Sequence, residues 1–194
     1  MTTKKTFPDG ATHRRYDVRT EGGAWLAVVF LGADGFFSTV SDYGNYGHWW
    51  GSTGRDDFRD FLCGTSADYL VGKFSPEWEM DPDASEIEVK KCIIRLRREG
   101  TLTADEARAE WELLSYVRDG DDGGWWANTD LGKHAWPADL WLQRRSPQAV
   151  AFVEKVMPRL VLMLRAEMAA EKEVLAVERV NREDGAPVPP VECQ

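Results

Sequence analysis

The stretch Trp25–Gly54, WLAVVFLGADGFFSTVSDYGNYGHWWGSTG, decides how this chain is read. Its first seven residues, Trp25 to Leu31, are apolar throughout, with paired valines and two aromatic rings. That composition predicts a central strand covered on both faces. Gly32-Ala33-Asp34-Gly35 reads as a tight hairpin, and Phe36 to Ser41 as the returning strand. Upstream, Ala11 to Arg19 reads as a strand with Tyr16 and Val18 on one face, closed by the turn signal Glu21-Gly22-Gly23. Residues 11–42 are therefore predicted to form a three-stranded antiparallel meander. Three strands keep a buried face only if something packs on it. The mostly helical segment 55–180 must supply that cover, so the fold class is α+β. One domain over 1–182 is expected, with a loose arm at 1–9 and a disordered tail at 183–194.

The end of the opening stretch, Ser41–Gly54, is its most unusual part. Four glycines, Gly44, Gly47, Gly51 and Gly54, alternate with Tyr43, Tyr46, His48, Trp49 and Trp50. Glycine suits positive φ and close approach, and Asp42 and Asn45 favour turns, so a chain of tight turns is predicted. The rings have two readings. As a plug, Trp49 or Trp50 closes the open end of the sheet. As a contact surface, Asp42, Tyr43, Tyr46, His48, Trp49 and Trp50 form a candidate binding site, because Tyr and Trp dominate interface hot spots. Adjacent residues point in different directions, so one of Trp49 and Trp50 is expected in the core and the other at the surface.

Downstream, Phe58, Phe61 and Leu62 give a helical stripe within 55–63, and Ser66 caps a second short helix through Lys73. Residues 74–83 read as a loop. Ser85 with Glu88, and Thr103 with Glu106, have capping-box spacing, which predicts an antiparallel helix pair over 85–98 and 103–117. Asp119–Gly124 (DGDDGG) reads as a flexible break, and its acids lack the spacing of an EF-hand loop. Trp125, Trp126, Trp136 and Trp141 form a second aromatic cluster. Ser146-Pro147 starts the last helix, and Pro158 predicts a kink or break near 154–157. Beyond it, Leu164, Met168 and Leu175 mark one apolar face, and Met163, Ala170, Val174 and Val177 another. Residues 160–180 are therefore the expected route to any weak dimer.

The sequence has 194 residues, a net charge of −9 and nine tryptophans. The charge argues against direct nucleic-acid binding, which needs a basic patch. Three scattered cysteines offer neither a disulfide framework nor metal spacing, which suits a reducing cytoplasm. The longest apolar run, Ala24 to Leu31, is too short to span a bilayer, and the N-terminus does not read as a signal peptide. No phosphate-binding glycine loop, nucleophile elbow or zinc-protease motif is present, so no cofactor, metal or catalytic residue is assigned.

The motif set SDYGNYGHWWG, FRDFL at Phe58–Leu62 and YLVGK at Tyr69–Lys73 resembles a group of small phage and prophage proteins. The resemblance is good over about residues 25–75 and looser to about 165. It implies a mobile-element origin and a place in the host cytoplasm, and it brings no catalytic residue with it. Two functions follow as expectations. The first is a phage-encoded protein that binds a host protein or complex, such as an inhibitor of a defence system, where acidity could mimic DNA or meet a basic groove. The alternative is a small hydrolase or nuclease-like enzyme centred on the Asp42–His48 loop, with His48 paired to Asp42, Asp56 or Asp57. For His48 the plainer reading is a hydrogen bond to a backbone carbonyl.

Overall fold

The structure is a computed structural model that describes residues 5–183. Its elements run β1 (His13–Arg19), β2 (Trp25–Gly32), β3 (Phe36–Ser41), β4 (Tyr46–Trp49), α1 (Phe58–Gly64), α2 (Ala67–Phe74) and β5 (Trp78–Met80). They continue as α3 (Pro82–Arg98), α4 (Ala104–Glu112), α5 (Leu114–Asp119), α6 (Asp122–Asn128), a 3-10 turn at Leu131–Lys133 and α7 (Pro137–Leu140). The last are β6 (Gln143–Arg145), α8 (Pro147–Lys155) and α9 (Met157–Glu183). Where the sequence suggests one domain, the chain clusters into two compact units. One joins the residues up to Ser75 with those from Gln148 on, and the other is Pro76–Pro147. The tail expected over 183–194 lies outside the described residues from 184 on.

The first unit is built on an antiparallel sheet of order β1-β2-β3-β4. The predicted meander is correct in order and direction but has four strands, not three. The fourth comes from inside the expected chain of turns. Tyr46-Gly47-His48-Trp49 pairs with Phe36–Thr39, with Phe36 opposite Trp49 and Thr39 opposite Tyr46. Gly47 hides a period-two pattern in the sequence, yet in a strand it merely faces Ser38. The turn before β4 needs glycine, where Gly44 sits at φ 111° and its N–H donates to the Ser41 carbonyl, and beyond the strand Gly54 sits at φ 67°. At the other hairpin, Gly35 (φ 98°) lies so close to the Trp50 carbonyl that a Cβ would stand 2.2 Å from it.

Strand pairing fixes two faces. On the inner face, Tyr16 and Val18 of β1 share the core with Ala27, Val29 and Leu31 of β2 and Phe37 of β3. Phe58, Leu62, Leu70, Phe152, Leu160 and Leu164 cover them from the helices. The helix starts are set by local chemistry. Asp57 caps α1, accepting from the Arg59 N–H, and Ser66 caps α2 as expected. Lys155 ends α8, and α9 opens at Met157 with Pro158 in its first turn, so the expected break is present and proline breaks no internal bond.

α9 is held to the sheet by charge as well as by oil. Its inward positions run Leu160, Leu164, Glu167, Glu171, apolar first and then acidic. Arg59, completely buried, forks onto Glu171 (2.8 and 2.6 Å) and onto Asp57 (2.6–3.1 Å). Arg14 of β1 pairs with Glu167, with Glu171 at 2.7 Å and with Asp9 at 2.8 Å. The Tyr16 hydroxyl donates to Glu167 at 2.7 Å. Burial works against the Arg59 charge, but the bonds to Glu171 and Asp57 overcome it and hold its pKa above the usual value. Phe7 lies against both guanidiniums, 4.8 and 5.0 Å from its ring centre, and is buried. Residues 7–9 are thus no loose arm. Past Glu171, residues 172–179 are all exposed, including Leu175, which the sequence groups with Leu164 on one apolar face.

In the second unit α3 packs against α4, α5 and α7 around Val89, Cys92, Ile93, Leu96, Leu114 and Trp125. Thr103 forms the expected capping box with Glu106. The Ser85 box does not form. Asp81 caps the helix four residues earlier, ahead of Pro82, and Ser85 is buried, with its hydroxyl accepting from the Leu142 N–H. The helix expected over 103–117 is split at Leu113 into α4 and α5. Asp121 of the expected flexible break caps α6 by accepting from the Gly124 N–H. The expected 74–83 loop contains β5, which pairs with β6.

Candidate functional site

The six candidate residues of the 42–50 loop divide between the two faces of the sheet. Tyr46 points inward, with its ring 5.0 Å from Phe152 and 5.5 Å from Phe74, and its hydroxyl donates to the Tyr43 carbonyl at 2.7 Å. Tyr43 is half-buried against the same core. Trp50 is 5% exposed, lies between Phe58 and Phe61, and donates its indole N–H to the Tyr69 hydroxyl at 3.0 Å. His48 stands edge-on to Trp50 at 4.4 Å. These four rings are architecture in whole or large part. Asp42 is exposed in the turn. Trp49 is the other tryptophan of the pair, 62% exposed on the outer face.

His48 has no carboxylate partner among the described residues. Asp57, one of its candidate partners, is taken by Arg59. Among the described residues no backbone carbonyl bonds the His48 ring either, which packs against Trp50 instead. Burial, and then the Lys73 ammonium, lower its pKa, which favours the neutral imidazole. The His–carboxylate unit required by the enzyme reading is not assembled. A cleft of about 530 Å³ beside the Arg59 network is no better equipped, because Asp57 and Glu171 at its wall are both bonded to Arg59. Among the described residues no group of His, Cys, Asp and Glu could hold a metal ion, and no helix is long and apolar enough to cross a membrane.

The outer face of the sheet is where Trp49 finds company. In an antiparallel sheet the residues opposite one another share a face. Phe36 stands opposite Trp49, and Val28 opposite Val40. Phe30, opposite Ser38, lies between these pairs. Phe30, Phe36, Val40 and Trp49 are all exposed. Small residues, Ser38 and Gly47, separate the rings and leave their faces open. Arg15 and Asp17 of β1 edge the patch and pair with each other at 2.9 Å. The Trp49 indole N–H donates to the Asp34 carbonyl at 3.2 Å, which fixes the ring beside the β2–β3 turn. Together these side chains make an ordered, exposed apolar patch on the outer sheet face.

The sequence reading found Trp49 but missed Phe30, Phe36 and Val40, because it treated β2 as covered on both faces. The signal was present as alternation in β3, where Phe36, Ser38 and Val40 lie on one side and Phe37 and Thr39 on the other. An all-apolar β2 masks the same alternation.

No curated protein and no solved structure gave a match to this chain. A family model, Phage_phiTE_072, described as a phage family, matches residues 7–166. The match takes in the whole sheet, the second unit and α9 as far as the Leu164 turn. With that much of its 194 residues covered, the chain belongs to this phage family.

Proposed function

We propose that the protein is a phage-encoded binding protein that acts on a host protein or complex in the host cytoplasm, with the outer sheet face as its docking surface. The observation that carries this reading is the exposed row Phe30, Phe36, Val40 and Trp49, held on a rigid sheet with nothing packed on it among the described residues. Rigid aromatics add contact area at low entropic cost, and one anchor can supply about 2 kcal/mol of binding or more. Family membership supports a phage origin. The net charge of −9 favours a protein target over nucleic acid, and inhibition of a host defence complex is one role that fits.

The test compares wild type with Trp49→Ala and Phe36→Ser as bait in host lysate, with the melting temperature recorded for each. Wild type should retain a discrete host protein that both variants lose, while the melting temperatures move by no more than a few degrees. Equal capture by all three baits would remove the sheet face from the interface.

A further inference from the structure

The second unit carries a different surface. α3 and α4 leave an open groove of about 660 Å³ between them. Ile94, Ala107 and Trp111 line it, with Arg97, Arg98, Arg108 and Glu112. Ile94 and Trp111 are 41% and 44% exposed. Ile87, two turns before Ile94 on α3, is exposed as well, so α3 bears a second apolar stripe besides the one it buries.

The charges say what this stripe receives. Other cations of α3 are matched by acids of the same helix or its C-cap: Lys90 by Glu86 (2.6 Å), Lys91 by Glu88 (2.7 Å) and Arg95 by the C-cap Glu99 (3.4 Å). Arg97, Arg98 and Arg108 have no ion-pair partner among the described residues, and all three line the groove with only one glutamate beside them. A net positive, apolar-walled groove in a chain of net charge −9 is a local reversal of sign. Its length follows from helix geometry, since Ala104 to Trp111 is two turns, or about 10 Å. Two helices flanking a short apolar trough form the seat for a third helix that presents anchors at i, i+3/i+4 and i+7.

The geometry points to this groove as the docking site for an acidic amphipathic helix of a partner protein. Two or three aliphatic side chains pack on Ile94, Ala107 and Trp111, and Asp or Glu residues flanking them pair with Arg97, Arg98 and Arg108. This surface does not depend on the sheet face of the first unit, so either assignment can fail alone.

The probe is a synthetic 18-residue helical peptide with Leu at i, i+3, i+4 and i+7 and Glu on both flanks, titrated into the full chain by calorimetry. Three controls accompany it: the same peptide with Lys for Glu, dodecanoate as a plain anionic chain, and the protein alone by analytical ultracentrifugation. The acidic peptide should bind at least tenfold more tightly than the Lys peptide, and raising the salt from 0.05 to about 0.5 M should weaken it as the arginines are screened. Ile94→Glu, and the triple variant Arg97→Gln, Arg98→Gln and Arg108→Gln, should each reduce affinity at least tenfold with an unchanged circular dichroism spectrum, while Trp49→Ala should leave it unchanged. Equal binding of the two peptides overturns the proposal, as does full affinity in the triple variant. Displacement of the peptide by equimolar dodecanoate would assign the groove to a lipid chain, and self-association abolished by Ile94→Glu would assign it to a second copy. Either result overturns the partner-helix assignment.

Discussion

Replacing Arg59 with Met tests the charge network that holds α9 to the sheet. The arginine donates to both oxygens of Glu171 and both of Asp57, lies 3.4 Å from Glu167, and is shut off from solvent. Removing one partner of a buried, hydrogen-bonded ion pair costs about 3–5 kcal/mol, because the other charge is left without compensation. Here two features soften the loss. Glu171 keeps Arg14 at 2.7 Å, and Asp57 keeps the backbone N–H of residue 59 at 2.8 Å. The lower end of the range, about 3 kcal/mol, is therefore expected for Arg59→Met, whose side chain roughly fills the space. Arg59→Ala should cost about 1 kcal/mol more, for the cavity. Folded proteins are stable by only about 5–15 kcal/mol, so urea unfolding followed by far-UV circular dichroism should show a large drop in midpoint.

Acid titration gives the same reasoning a second reading. The hydrogen bond from Arg59, opposed by burial and helped by Arg14, holds the Glu171 carboxyl below its ordinary value of 4.5. A folded pKa below the unfolded one means stabilisation that is complete above about 4.5 and lost as the pH falls through the folded value. Wild type should therefore lose stability as the pH falls below about 4.5, and Arg59→Met should flatten that limb. A loss under 1 kcal/mol at pH 7 together with an unchanged acid limb would refute the network as the clamp on α9.

Three further outcomes are expected. Thr103→Ala removes a hydroxyl that accepts from the Glu106 N–H and should cost about 1 kcal/mol in urea unfolding. Tyr46→Ala should cost about 3 kcal/mol, because its ring meets Phe74 and Phe152, whereas Trp49→Ala should change stability by less than 1 kcal/mol. Deleting residues 173–194 should leave the fold and its melting temperature intact, since exposure is continuous over 172–179, and should abolish any weak dimer that forms through residues 160–180, as sedimentation would show.

What the sequence disclosed was local, and what it hid was distant. The Thr103–Glu106 box, the Ser66 cap, the Ser146-Pro147 start and the break before Pro158 each depend on residues within four positions of one another. Ser85 was a local signal too, but a stronger one, Asp81 followed by Pro82, lies inside what reads as a loop. The Arg14–Glu167 and Arg59–Glu171 bonds span 153 and 112 positions, and no periodicity marks them. β5 and β6 are three residues each and lack alternation, so only their pairing makes them strands. β4 was hidden differently. Gly47, with Gly44 and Asn45 just before it, suggests turns when read singly, and Tyr46–Trp49 become strand residues only when Phe36–Thr39 lies alongside.

That pairing also divides the rings of the 41–54 stretch between the two faces of the sheet. A strand sends neighbours to opposite faces. Tyr46 and His48 go inward, with Trp50 just beyond the strand, and they carry the packing. Trp49 goes outward to join Phe36. A one-residue slip of β4 would exchange the two sets, placing the inward rings in water and driving Trp49 into a core already filled by Phe37, Phe58 and Phe152. The buried rings therefore hold the register that keeps Trp49 exposed. Substitutions at even positions of 46–50 should register first in stability, and the substitution at 49 in binding.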